Sequence, residues 1–286
     1  MFKKKVLLAT DFSETALKLM NCLEELKKLG VEQVLLVHVV DIHSAKLDAG
    51  ELQKADREKL EEVKKEIEQM GFEVEVEVPI GGPVAEINRL AESEDVGVIL
   101  VASHGRGPIK RIALGSTTHN LLRRTNCPLL VEKYKNIDCE GDVSIACARK
   151  FDRIFVATDL SEPSARVTEM IKKIEAPAQE IILATFFETS SDAEQLREDR
   201  KITEERMESI RDELLASDAA REVSIIIGEG EAADNIISAA REHQAGLIMI
   251  GSHGRGGLKE LLLGSTAETV AQKSSIPVLL VPNRES

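Results

Sequence analysis

The residues best suited to chemistry are three glycines and a hydroxyl pair in the C-terminal half. They read Gly251-x2-Gly254-x9-Gly264-Ser265, and Thr266 follows. Glycines at 251 and 254 let the backbone approach a bulky anion and permit positive φ. Ser265 and Thr266 are predicted to open a helix, which would offer hydroxyls, free N–H groups and the positive end of the helix dipole. This combination indicates a phosphate-binding site.

The pattern differs from both common phosphate fingerprints. A Walker A loop requires Gly-Lys-Ser/Thr, and no such run follows these glycines. The dinucleotide pattern G-x-G-x-x-G opens the first helix of a Rossmann unit, whereas here the first strand is followed by "ATDFSE", which has no glycine. Arg255 could add a guanidinium to the site or face solvent.

Nearly the same stretch occurs twice. "ASHGRGPIKRIALGST" at 102–117 is repeated as "GSHGRGGLKELLLGST" at 251–266, about half the chain length later. That spacing exceeds the roughly 20–50 residues of solenoid repeats and matches a whole domain. The sequence therefore predicts a duplicated domain, with a first domain at 1–135, a linker at 136–150 and a second domain at 151–286.

Buried strands and amphipathic helices alternate in each copy, which predicts parallel sheets with helices on both faces. In the first copy, strands are expected at 4–10, 33–41, 73–80, 96–103 and 128–133, and helices at 13–30, 46–70, 83–94 and 116–125. The second copy repeats this order from residue 153. Right-handed crossovers make the fold class α/β, with two tandem doubly wound open parallel sheets of five strands each. Within the linker, "VSIA" is a candidate short strand.

Composition narrows the range of functions. The net charge is −13, and the chain of 286 residues has no Trp, one Tyr and seven Phe. Nucleic-acid binding needs a basic face or stacking aromatics, so no nucleic-acid partner is expected. No apolar run reaches the roughly 20 residues of a membrane span. We therefore expect no membrane partner and a cytoplasmic location. The four cysteines lack metal-ligand spacing. Cys139 and Cys147 could pair, but free thiols are the preferred interpretation.

With "ATD" ending the first strand and G-x2-G-x9-G-S/T after the fourth, both copies resemble the universal stress protein family. The resemblance implies strand order 3-2-1-4-5 in an adenine-nucleotide α-hydrolase-like fold. It also implies ATP or AMP bound between the first and fourth strands, with Mg²⁺ entering through the phosphates. As partners it implies pairing of the two domains through their last strands, and a homodimer.

The resemblance assigns nucleotide-binding residues to each half. In the first half these are Ala9, Thr10, Asp11, Val39, Val40, Ala102, Gly105, Arg106, Gly115, Ser116 and Thr117. In the second half they are Ala157, Thr158, Asp159, Thr185, Phe186, Gly251, His253, Gly254, Arg255, Gly264, Ser265 and Thr266. No residue is assigned as catalytic or as a metal ligand.

Two departures from the family pattern predict that the two sites differ in affinity. Ala102 replaces the first glycine of the loop, which adds a methyl group where the backbone would approach a ligand. In the second copy, "ATFFE" replaces "VHVVD", so Thr185 and Phe186 lie where valine is expected beside adenine.

Simpler interpretations stay open for these residues. The glycines could only shape a tight loop, Asp11 and Asp159 could be ordinary helix caps, and His104 and His253 could form loop-shaping hydrogen bonds. For function, the first hypothesis is a nucleotide-binding stress-response or regulatory module. The alternatives are a slow ATP hydrolase or autophosphorylating enzyme, and an assembly protein that binds no nucleotide.

Overall fold

The computed structural model describes residues 3–27, 29–41, 48–103, 114–137, 143–145, 149–187, 193–254 and 263–283. The chain divides near residue 148 into two compact units. Among the described residues, no helix combines the length and the apolar character needed to cross a membrane.

The first half alternates strands with helices. Its elements are β1 (Lys5–Ala9), α1 (Glu14–Leu17), a 3₁₀ turn (Lys18–Cys22), α2 (Leu23–Lys27), β2 (Gln33–Val37), α3 (Ala49–Gln69), β3 (Glu73–Glu77), α4 (Pro83–Ser93), β4 (Val98–Ala102), α5 (Ser116–Arg124) and β5 (Leu129–Glu132). All strand pairs are parallel, in the order β3-β2-β1-β4-β5. The strand order therefore reverses between β1 and β4, where ligands bind in sheets of this type.

A short antiparallel hairpin follows, formed by β6 (Tyr134–Ile137) and β7 (Val143–Ile145). The short strand predicted within "VSIA" is therefore present.

The second half repeats the arrangement. Its elements are β8 (Arg153–Ala157), α6 (Glu162–Ile171), β9 (Ala178–Phe187), α7 (Ala193–Ala216), β10 (Ala220–Glu229), α8 (Ala232–Glu242), β11 (Leu247–Gly251), α9 (Ser265–Lys273) and β12 (Val278–Val281). Its parallel strands run in the order β10-β9-β8-β11-β12. The fold class and the order 3-2-1-4-5 are confirmed in both halves.

Burial follows the sequence pattern. Every residue of β4 and of β11 is buried, as expected for a central strand covered on both faces. The edge strand β3, "EVEVE", alternates exposed glutamates with buried valines, as its period of two predicts. Aliphatic residues form most of the core, and few aromatics contribute to it.

The helix predicted at 13–30 is interrupted, because α1 gives way to the 3₁₀ turn before α2 begins. Cys22, the last residue of this turn, is disulfide-bonded, and its partner lies outside the described residues. The expectation of free thiols is therefore wrong for Cys22. Cys127, at the start of the segment leading into β5, is a free and buried thiol.

Candidate functional site

The second half contains a cleft of about 520 Å³ at the carboxyl ends of β8, β9 and β11. Its volume lies in the range of small-molecule sites, and its position is the switch point where the strand order reverses. It is lined by Ala157, Thr158, Asp159, Ser164, Ala184, Thr185, Phe186, Ala232, Ile236, Ile250, Gly251, Ser252, His253, Gly254, Leu263, Gly264, Ser265, Thr266 and Ala267. All the second-half residues predicted from the sequence line this cleft, except Arg255, which lies outside the described residues.

The turn after β8 forms one wall and is fixed by side-chain hydrogen bonds. Asp159 Oδ1 accepts from the backbone N–H of Ser161 at 3.0 Å and from Ser161 Oγ at 2.6 Å. Ser161 is the N-cap of α6, so the alternative interpretation of Asp159 as an ordinary helix cap is wrong. Leu160, between them, has φ of 61°, a left-handed conformation that non-glycine residues rarely adopt. Such backbone strain concentrates at functional sites.

Thr158 extends this network into the cleft. Its Oγ1 accepts from the N–H of Leu160 at 3.0 Å and donates to Ser164 Oγ at 2.9 Å. Ser164 Oγ in turn donates to the carbonyl of Ser161 at 2.8 Å. These bonds hold the turn rigidly against the first turn of α6.

The glycine loop approaches this turn closely. A Cβ placed on Gly254 would lie 2.6 Å from Asp159 Oδ2, closer than real side chains approach. Gly254 therefore leaves room for the Asp159 carboxylate. This contact between the two walls of the cleft explains why residue 254 is a glycine. Close approach of a ligand to the loop would be a second reason.

Ser252 anchors the loop to its surroundings through its backbone. Its N–H donates to the carbonyl of Val281 and its carbonyl accepts from the N–H of Gly264, both at 2.8 Å. Its side-chain oxygen lies 2.8 Å from His253 Nδ1. The imidazole of His253 is thus hydrogen-bonded within its own loop. In the described part of the chain, no group of three or more His, Cys, Asp or Glu side chains could hold a metal ion.

The far wall is the start of α9. Gly264 is the N-cap and carries no side chain that could accept from the first-turn amides, and Ser265 and Thr266 are the first helical residues. The N-terminal N–H groups and the helix dipole therefore face the cleft without a side-chain cap, which favours an anion there. This confirms the helix start predicted from the sequence.

The first half has the same backbone geometry. Asp11 Oδ1 accepts from the N–H and Oγ of Ser13, which caps α1, and Phe12 between them has φ of 60°. Ala9 ends β1, and Thr10 Oγ1 accepts from the N–H of Phe12 at 3.1 Å. The capping role lies with Ser13, so the cap interpretation is also wrong for Asp11.

The start of α5 repeats the start of α9. Gly115 is an N-cap without a side-chain bond, and Ser116 and Thr117 open the helix. The N–H of Gly115 donates to the carbonyl of Ser103 at 2.8 Å, as that of Gly264 does to Ser252. Ala102, at the end of β4, is buried. Gly105, Arg106 and His104 lie outside the described residues.

Strand register defines which residues correspond at the end of the second strand. Ala9 pairs with Val37 and Ala157 with Ala184, so Thr185 corresponds to His38 and Phe186 to Val39. The expectation that Thr185 lies at a valine position is therefore wrong, whereas Phe186 does lie at one. Val40, whose carbonyl accepts from Gly81, corresponds to Phe187 in the same way. Val40 is buried and forms a bridge with Ile80, whereas Val39 is half-buried.

Sequence reasoning missed His38 and Asp56 in the first half. His38 Nδ1 lies 2.8 Å from the carbonyl oxygen of Thr10, and Nε2 lies 3.4 Å from Asp56 Oδ2. The imidazole also contacts the Phe12 ring, with 4.4 Å between centroids and a tilt of 40°. The sequence signal that could have found His38 was a histidine within the otherwise apolar strand predicted at 33–41.

In the second half, sequence reasoning missed several cleft residues: Ser164, Ala184, Ala232, Ile236, Ile250, Ser252, Leu263 and Ala267. Most are small or apolar residues that only the fold brings to the cleft.

Fold and site together define a class of protein with two tandem α/β domains. Its candidate ligand cleft lies where the strand order reverses, and one wall of the cleft is a helix N-terminus without a side-chain cap. The sequence profile of the Universal stress protein family matches residues 3–133 and again residues 150–282. The chain belongs to the universal stress protein family.

Individual relatives agree with this assignment. Universal stress protein MJ0577 of Methanocaldococcus jannaschii is 38% identical over 156 residues, covering 46% of this chain and 96% of its own length. A universal stress protein structure from Archaeoglobus fulgidus superposes with TM-score 0.75 at 27% identity, covering 99% of this chain and all of that one. The structure of PA1789 from Pseudomonas aeruginosa shares the fold, with TM-score 0.66 at 18% identity over 98% of this chain and 92% of its own.

Proposed function

We propose that this chain binds an adenine nucleotide, ATP or AMP, and acts as a stress-response or regulatory module. The observation that carries the proposal is the convergence, in one cleft of about 520 Å³, of a glycine loop, an uncapped helix N-terminus and the fixed turn after β8. The same backbone features recur in the first half, where a second site is proposed.

The phosphate end of the ligand is assigned to the start of α9. Its first-turn amides are uncapped, and the helix dipole favours negative charge within the first turn. Ser265 and Thr266 add hydroxyl groups at the same place. Local amides can hold an anion although the whole chain carries a net charge of −13, because the attraction acts at short range.

The base end is assigned to the apolar part of the cleft. There the lining consists of small and aliphatic side chains with one aromatic ring: Ala157, Ala184, Phe186, Ala232, Ile236 and Ile250. A phosphate-only ligand would leave these apolar walls in contact with water. A ligand with a flat apolar base and a charged tail complements both ends.

Binding is preferred over hydrolysis because hydrolysis needs a group that positions water beside the γ-phosphate. Among the described residues, the titratable side chains that line the cleft are Asp159, whose Oδ1 is bound to Ser161, and His253, whose Nδ1 is hydrogen-bonded to Ser252. Each is thus engaged in holding its own wall of the cleft. Mg²⁺ would be held through the phosphates. Pairing of the two halves through their last strands, a homodimer and a cytoplasmic location belong to the same proposal.

Gly264→Asp tests the phosphate site without weakening the fold. Gly264 has φ of −63° and ψ of 139°, and an added Cβ would lie 3.4 Å from its nearest neighbour, an ordinary contact. Aspartate is a favoured N-cap, so the helix should keep or gain stability. Its carboxylate would occupy the amides and repel phosphate, and we expect ATP affinity by calorimetry to fall at least about tenfold.

Gly264→Asn is the matched control, because asparagine caps equally well without a charge. Asparagine would also occupy the first-turn amides, so we expect it to lower ATP and AMP affinity less than aspartate does. The difference between the two variants measures the repulsion of phosphate by the added charge. If the wild-type chain showed no heat of binding and no thermal shift with saturating ATP or AMP, the proposed function would be wrong.

A further inference from the structure

Gly228 lies inside β10, where a glycine weakens a strand and needs an explanation. It pairs directly with Phe186 across the β9–β10 ladder. A Cβ on Gly228 would lie 2.7 Å from Cδ1 and 2.8 Å from Cε1 of the Phe186 ring. The glycine therefore makes room for the ring to rest on the backbone of the edge strand.

Phe186 is placed unlike the core phenylalanines. Phe151 and Phe155 are buried in the second half, whereas Phe186 is half-buried and lines the cleft beside Ala232 and Ile236 of α8. The chain has only seven phenylalanines, and this one lies at the cleft wall. An aromatic ring open to a cleft offers a flat surface for another ring.

The first half lacks both the ring and the glycine at the corresponding positions. Register places Val39 at the position of Phe186. Pro79 takes the position of Gly228, because the Val40–Ile80 bridge corresponds to the Phe187–Glu229 pair. A valine beside a proline thus replaces the ring beside a glycine, so the first half has no ring at this position.

We propose that Phe186, seated on Gly228, is the stacking platform for the base in the second-half cleft and makes that site the tighter of the two for nucleotides. The inference rests on the proposed function and adds a specificity-determining residue to it. Stacking of a base on an aromatic side chain is sequence-tolerant and strong enough to change affinity about tenfold. Phosphate-only ligands gain nothing from it.

The test compares Phe186→Leu with the unchanged residue, both in a full-length chain carrying Gly115→Asp to silence the first-half site. A chain carrying Gly264→Asp instead reports the first-half site, which should bind ATP more weakly than the Gly115→Asp parent does; equal or tighter binding would contradict the ranking of the two sites. Leucine keeps apolar bulk but removes the ring. Titration calorimetry with ATP and with inorganic tripolyphosphate separates the base from the phosphates. We expect ATP affinity to fall about tenfold and tripolyphosphate affinity to stay unchanged.

Phe186→Trp gives a second, local readout, because the chain has no other tryptophan. Its fluorescence should be quenched by ATP and not by tripolyphosphate. If the Phe186→Leu chain bound ATP as tightly as its parent, the platform would be overturned and the proposed function would stand. Equal weakening for both ligands would also overturn it, since the ring would then only shape the cleft. If neither chain bound ATP, the platform would fail, and the proposed function would fail with it if the wild-type chain also bound no ATP.

Discussion

Replacing Gly254 by alanine perturbs the contact between the two walls of the cleft. The new methyl group would lie 2.6 Å from Asp159 Oδ2, so the carboxylate must retreat by about half an ångström or more. That carboxylate cannot move freely, because its Oδ1 accepts two hydrogen bonds from Ser161, at 3.0 and 2.6 Å. Ser161 is the N-cap of α6.

The expected cost follows from this network. Hydrogen bonds to a charged group and a helix N-cap each contribute about 1–2 kcal/mol, so Gly254→Ala should lower the free energy of unfolding by roughly 1–2 kcal/mol. For a domain of this size, that corresponds to a fall in melting temperature of about 3–6 °C. Gly264→Ser is the control, because its Cβ has an ordinary contact at 3.4 Å and serine is a good N-cap.

A double-mutant cycle with Asp159→Ala isolates the contact. Removing the carboxylate alone should cost a similar amount, since the cap network is lost. In the double variant the methyl group meets no carboxylate, so its stability should match that of Asp159→Ala alone. Urea unfolding of the four chains measures the coupling, expected at about 1–2 kcal/mol. Additive effects within about 0.5 kcal/mol would refute the steric explanation of Gly254.

Two further predictions concern buried titratable groups. Burial lowers the pKa of Lys133 from 10.5 to about 8, so between these pH values the unfolded chain binds more protons than the folded one. The free energy of unfolding should therefore rise by roughly 3 kcal/mol as the pH increases from 8 to 10.5. Urea unfolding should show this rise in the wild-type chain and its loss in Lys133→Met, and an equal rise in both chains would contradict the prediction. Burial raises the pKa of the Cys127 thiol to about 12, so in native protein at pH 8 Cys127 should resist alkylation by iodoacetamide. Mass spectrometry measures the labelling, and alkylation of Cys127 within minutes would disprove the prediction.

Much of the fold follows from local patterns. The apolar runs around Leu7 and Ile99 predict central strands, and the alternation of "EVEVE" predicts the exposed edge. The helix start at Ser265 is also local, because the preceding Gly264 is among the residue types favoured at an N-cap. These elements needed no knowledge of distant contacts.

The parts that could not be predicted depend on residues far apart in sequence. The need for glycine at 228 comes from a ring 42 residues earlier, and the need at 254 comes from a carboxylate that follows another strand. The interruption of the helix at 13–30 occurs where Cys22 is tied by a disulfide. The left-handed conformation of Leu160 has no local cause in residue type, because leucine disfavours it.

The two halves agree where the backbone holds the site and differ where side chains meet the proposed base. Both have the left-handed residue after the first strand, the carboxylate bound to the capping serine, and a bare glycine N-cap at the helix that follows the fourth strand. At the end of the second strand, His38 and Val39 stand opposite Thr185 and Phe186 in register. A phosphate needs the common backbone features, whereas discrimination between bases depends on the side chains that differ. Under the proposed function, duplication would therefore preserve the capacity to hold a phosphate tail in both halves while giving each half its own preference for what is attached to it.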